Sequence, residues 1–147
     1  MAREIEVENK TLEERTLHGL WIRSNIVSCD QEADTLMALY SSKVTHREGD
    51  RYIIRCAMDE KGGCELFAGG EELAEGLDEL KVPEGEYVCT HVVPKFGFMW
   101  GGALDNADRF LRLVWPGRAG RELDDFRIEV RGVRGNKPFI DIYYKLK

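Results

Sequence analysis

Glu129, Asp141 and Tyr143 are the residues of this chain whose types and spacing point most directly to chemistry. They fall in two stretches of period-2 alternation. In the first, Phe126, Ile128 and Val130 alternate with Arg127, Glu129 and Arg131. In the second, Ile140, Ile142, Tyr144 and Leu146 alternate with Phe139, Asp141, Tyr143 and Lys145. The segment Gly132-Val133-Arg134-Gly135-Asn136-Lys137-Pro138 reads as the turn of a hairpin, its glycines and Asn136 supplying positive φ. If both apolar sets face helices, Glu129, Asp141 and Tyr143 share the opposite face. A carboxylate kept from water is costly unless paired, so a glutamate there is either solvated or in use. The plain alternative is a wet face, common in antiparallel sheets.

Other elements must hold that hairpin. Glu4 to Asn9 and Thr11 to Ser24 read as extended, and His18 within the second stretch is a lone histidine without visible partners. Ala33, Leu36, Met37 and Tyr40 keep helical spacing, which predicts a helix over Asp30–Ser42 capped by Ser28 or Asp30. Arg51–Met58 is β-like and returns through Gly62-Gly63 to Phe67. Glu86–Val93 reads as a strand with two apolar sides. From Phe98 a second helix runs through Trp100, Ala103, Leu104, Ala107, Leu111 and Val114, and Trp115-Pro116-Gly117 stops it. The segment from Gly69 to Leu80, with Glu71, Glu72, Glu75, Asp78 and Glu79, is expected to link these halves and to face water.

Composition bounds the rest. With 147 residues, 43% hydrophobic and 33% charged, the chain suits one domain, 1–147, large enough to bury a core. A net charge of -6 with dispersed acids argues against a direct nucleic-acid surface. No membrane span and no export signal are read, so the expected location is cytoplasmic. Cys29, Cys56, Cys64 and Cys89 lack zinc or redox spacing and are expected to be free thiols; Cys56 and Cys64, flanking one turn, are the pair that a hairpin could bring together. The acidic run lacks the alternating oxygen ligands of a calcium loop, so no metal and no cofactor are called for.

Laid end to end, the elements repeat. Strand, helix and hairpin (about 1–68) recur as strand, helix and hairpin (about 82–147) across an acidic linker (about 69–81). Neither half can close a core alone. The expected fold is α+β: two β-α-β-β repeats with pseudo-twofold symmetry, an antiparallel sheet with helices on one side and a ligand groove on the other. Trp21, Tyr52, Trp100 and Tyr143 are candidate groove walls beside Glu129, Trp100 also fitting the buried stripe of its helix.

The run Val82-Pro83-Glu84-Gly85-Glu86-Tyr87, the following helix, Phe126-Arg127-Ile128-Glu129-Val130 and the closing Phe139-Ile140-Asp141-Ile142-Tyr143 resemble the GyrI-like effector-binding domain, here without a helix-turn-helix module. The resemblance implies a glutamate, matched by Glu129, in an aromatic-lined pocket that meets cationic ligands. Arg131 stands where the family usually has tyrosine and Lys145 where it usually has proline. A cation two residues from Glu129 would neutralise it. Three functions follow as expectations. One is a module that senses or sequesters an amphipathic, aromatic or cationic small molecule. Another is a hydrolase of strained, cyclopropanoid-type electrophiles using Glu129 and Tyr143. The last is an inhibitor of a protein partner such as gyrase through the acidic segment. A monomer or homodimer is compatible with each.

Overall fold

The computed structural model describes residues 5–45 and 49–147; Glu4, where the extended N-terminal stretch was expected to begin, lies outside them. In chain order the elements are β1 (Glu8–Leu12), β2 (Arg15–Asn25), α1 (Cys29–Lys43), β3 (Arg51–Cys56), β4 (Gly63–Gly70), β5 (Asp78–Val82), β6 (Gly85–Val92), α2 (Ala103–Arg109), a π-helical turn (Phe110–Val114), α3 (Trp115–Ala119), β7 (Leu123–Arg134) and β8 (Lys137–Leu146). The segment expected to be a linker therefore holds the end of β4 and most of β5, whose alternating exposed and buried residues Asp78-Glu79-Leu80-Lys81-Val82 are a strand pattern hidden among acids. The second helix starts at Ala103 rather than Phe98, after a loop with positive φ at Phe96, Gly97 and Gly101.

The strands form one antiparallel sheet in the order β1-β6-β8-β7-β3-β4-β2-β5. Read from the centre outward, β7-β8-β6-β1 mirrors β3-β4-β2-β5, which is the expected pseudo-twofold symmetry with one addition. Each repeat begins with an extra strand, β1 or β5, and that strand pairs with the other repeat: β1 with β6, β5 with β2. The exchange dictates the shape. β1 and β2 are six strand spacings apart in the sheet, roughly 29 Å if it were flat. The step from Leu12 to Arg15 can reach only about 11 Å. Val82 to Gly85 sets the same condition from the other edge. The sheet is therefore curled into a half-barrel.

Both sides of the curl are packed. On the convex side α1 covers Ile53, Leu66 and Ala68 with Cys29, Ala33 and Leu36, and α2 with the π-turn covers Val88, Val92, Ile140, Ile142, Tyr144 and Leu146 with Ala107 and Leu111. On the concave side Leu17, Tyr52, Ile54, Phe67, Leu80, Val82, Tyr87, Ile128 and Val130 form a third cluster. The paired glycines Gly19 and Gly69 lie in it, and a Cβ on Gly69 would overlap the His18 carbonyl oxygen. Only glycine permits strands to approach that closely. All four cysteines are free, and Cys56 lies opposite Glu65 rather than Cys64.

Candidate functional site

The β7–β8 turn decides which residues meet. Arg134 pairs with Lys137 across the two residues Gly135 and Asn136, both with positive φ, the backbone of the tightest hairpin connection. Ile128 then opposes Tyr143, Val130 opposes Asp141, and Glu129 opposes Ile142. Because side chains alternate with period 2, Ile128, Val130, Asp141 and Tyr143 share the concave face, while Glu129 goes with Ile142 and Ile53 to the helix face. The expectation that Glu129 and Tyr143 share a face is thus corrected. The apolar set of β8 does face α2, as expected; that of β7 faces the other way.

On the helix face Glu129 is 8% exposed and lies in a polar seam between α1 and α2. Arg131 Nε donates to Glu129 Oε2 at 2.7 Å and Arg127 Nη2 to Oε1 at 3.3 Å. The same guanidinium groups reach outward to the helices. Arg131 Nη1 donates to Asp34 Oδ1 on α1 at 2.9 Å, and Arg127 Nε to Asp108 Oδ1 on α2 at 2.9 Å. Tyr144 Oη also donates to Asp108, at 2.7 Å. Burial works against the Asp108 carboxylate, but the Arg127 charge and the Tyr144 hydroxyl outweigh it and hold Asp108 below the usual carboxylate range. Beside Glu129 there is an opening of about 10 Å³, the least that admits one water. The neutralising role expected of Arg131 is present, and the seam ties one helix to each side of β7. Trp100 packs on this side too, against the cluster under α2.

The concave face carries a cleft of about 470 Å³, within the range of small-molecule sites. Ile128, Val130, Val82 and Leu12 give it apolar surface, and Tyr52, Tyr143 and Phe139 give it aromatic surface. The crossing from β1 to β2 contributes Glu13, Glu14 and Arg15; Asp50, Asp141 and Arg134 complete the charged lining. Four carboxylates against two guanidinium groups make the cleft acidic. Arg15 Nη1 donates to Tyr52 Oη at 2.6 Å, which leaves the Tyr52 hydroxyl hydrogen for another acceptor. Burial pushes the Tyr143 phenol up, keeping it neutral, and its ring meets Tyr87 edge-on at 6.4 Å. Asp141 pairs with His91 Nδ1 at 2.5 Å, and the His91 ring stacks on Phe139. Trp21 stands on the same face but packs on Phe67 at 5.2 Å, away from the cleft lining.

Of the sequence candidates, then, Tyr52 and Tyr143 line the cleft, Trp21 supports its face, and Glu129 and Trp100 lie on the other side. Asp50, Arg134, Phe139 and the Glu13-Glu14 crossing come to the cleft only through tertiary structure. Gly135-Asn136, a two-residue hairpin signal, would have fixed the β7 face from sequence. Among the described residues, no cluster of His, Cys, Asp or Glu could hold a metal ion, and no helix is long and apolar enough to cross a membrane.

No family model matches the chain, and no curated protein matches it in sequence. Solved structures do match. An integron cassette protein from the mobile metagenome of Vibrio cholerae superposes with a TM-score of 0.70 at 11% identity over 96% of this chain and 95% of that one. SAV2435 bound to tetraphenylphosphonium gives a TM-score of 0.64 at 12% identity over 97% and 94%. The EcmrR C-terminal domain gives 0.61 at 12% identity over 97% and 98%. The chain shares their fold. That fold agrees with the one the GyrI-like resemblance implies.

Proposed function

We propose that this protein binds a flat or amphipathic organic cation in the concave cleft, as a module that senses or sequesters it. Tyr52 and Tyr143 are the aromatic walls, and Asp141, two residues from Tyr143 on the same strand face, is the counter-charge. The observation that carries the reading is the cleft itself, about 470 Å³ with an apolar floor, two tyrosines and an excess of carboxylates. Aromatic faces attract cations through the ring quadrupole, and a carboxylate at 13% side-chain exposure has little water to compete with a ligand. The lipophilic cation bound to the structural neighbour SAV2435 is of the same class. The hydrolytic alternative required Glu129 and Tyr143 at one substrate, and residues on opposite faces of a sheet cannot meet there. A filled groove would have favoured the inhibitor alternative; the open cleft favours a small-molecule site.

Calorimetric titration with tetraphenylphosphonium, and with neutral triphenylphosphine oxide as its comparison, tests the reading. The cation should bind and the neutral compound should bind more weakly. Asp141→Asn should weaken the cation by roughly ten- to a hundredfold, the equivalent of about 1.5–3 kcal/mol for a contact to a charged group. Tyr143→Ala should weaken both compounds. Equal affinity for both in the wild type, or a cation affinity indifferent to Asp141→Asn and Tyr143→Ala, would refute the assignment.

A further inference from the structure

One corner of the sheet differs in chemistry from its symmetry mate. At the C-terminal end of β6, Val92 lies opposite Ile140, four residues from the tip of the β7–β8 hairpin, so the loop after β6 leaves the sheet beside that tip. Residues 92–104 and 130–140 contain no Asp or Glu. They carry instead exposed apolar side chains next to exposed basic ones. Phe96 is 85% and Phe98 72% exposed, with Met99 and Val133 also in water, and Lys95, Arg134 and Lys137 stand among them. A tight turn holds the phenylalanines out: Lys95 bridges to Met99, with positive φ at Phe96 and Gly97 between. Neither lysine has a carboxylate partner among the described residues. Among the described residues Arg134 has only the Phe139 ring, at 4.7 Å.

The pseudo-twofold supplies an internal control. At the related corner Ile26, Val27 and Met58 are exposed, but the hairpin tip there carries Asp59 and Glu60. Asp59 is occupied by Arg23 and by the amides of Lys61 and Gly63. Only the second corner combines outward aromatics with unpaired positive charge, and it does so on a protein of net charge -6. A general requirement for exposed loops does not produce that polarity.

We propose that this corner docks on an anionic lipid surface, with Phe96 and Phe98 entering the headgroup boundary and Lys95 and Lys137 facing the anionic groups. The charge is complementary to such a surface and to no cationic one. Exposed phenylalanines beside lysines that have no carboxylate partner among the described residues favour a bilayer over a folded acidic partner. Two phenylalanines on a turn suit shallow insertion. Arg134 and Phe139 belong both to this corner and to the cleft lining, so the docked protein holds its cleft next to the bilayer. The proposal is independent of what the cleft binds.

Co-sedimentation with phosphatidylcholine vesicles, with and without phosphatidylglycerol, tests it. The protein should sediment with the anionic vesicles, and added salt should release it. Lys95→Glu with Lys137→Glu should lower partitioning at least roughly fivefold for each lysine, as about 1 kcal/mol per basic residue at an anionic surface corresponds to. Phe96→Ser with Phe98→Ser should lower it by about tenfold or more. Val27→Ser at the related corner should leave it unchanged. All these side chains are exposed, and circular dichroism melts establish that each variant is folded. Failure to sediment with anionic vesicles at low salt overturns the proposal. So does equal partitioning of the Phe96 and Phe98 variant, or a Phe96-dependent shift in size-exclusion mass, which would make the occupant a second copy of the chain.

Discussion

Replacing Glu129 by glutamine separates the two faces of the sheet experimentally. The amide would keep the shape and one acceptor oxygen but lose the charge that both guanidinium groups share. Removing one partner of a fully buried ion pair costs about 3–5 kcal/mol. Here the cost is lower, because Arg131 keeps Asp34 and its side chain is 36% exposed, while Arg127 keeps Asp108. About 2–3 kcal/mol is the resulting expectation once solvent screening of Arg131 is allowed for. In a chain of this size each kcal/mol is worth about 2–4 °C in Tm, so the midpoint should fall by roughly 4–12 °C. Urea denaturation measures the loss directly, with an unchanged slope as the sign that only stability moved. Titration of tetraphenylphosphonium into the same variant should return the wild-type affinity, because Glu129 does not line the cleft. A tenfold loss of affinity with unchanged stability would refute the placement of Glu129 on the helix face and the structural role derived from it.

Acid should unpick the same seam. Asp108 has a folded pKa below its unfolded value, so the stability it contributes is present above about pH 4 and is lost as pH falls through the folded value. The stability difference between wild type and Asp108→Asn should therefore shrink as pH falls below about 4 in urea melts; a difference that stays constant would contradict it. The thiols offer a second check. Burial, then the nearby Asp125 carboxylate, pushes the Cys56 thiol up to about 11, and burial raises Cys64 and Cys89 as well. Iodoacetamide at pH 8 should accordingly label the folded protein slowly and all four cysteines after denaturation without reductant, as mass spectrometry would count.

The chain's own residues already contain the repeat, the helix stripes and the alternation of both C-terminal strands. They also contain the neutralisation of Glu129, because Arg131 two residues away on one strand must share its face whatever the partner strand does. Ile140, Ile142, Tyr144 and Leu146 face a helix as their pattern indicates. What the alternation of β7 could not supply is the side on which its apolar set lies. Ile128 and Val130 are buried against the concave cluster, and Glu129 is buried against arginines, so both faces of the strand are covered and neither is marked by water. The side is set by parity across the two-residue turn Gly135-Asn136, where a turn one residue longer would have exchanged the faces. The exchange of β1 and β5 between repeats was hidden for a different reason. β5 is a short, half-exposed edge strand whose acids resemble a solvated linker, and its partner β2 lies far earlier in the chain. Only that exchange curls the sheet. It brings the Glu13-Glu14 crossing over Tyr52 and Tyr143 and turns a wet face into a cleft.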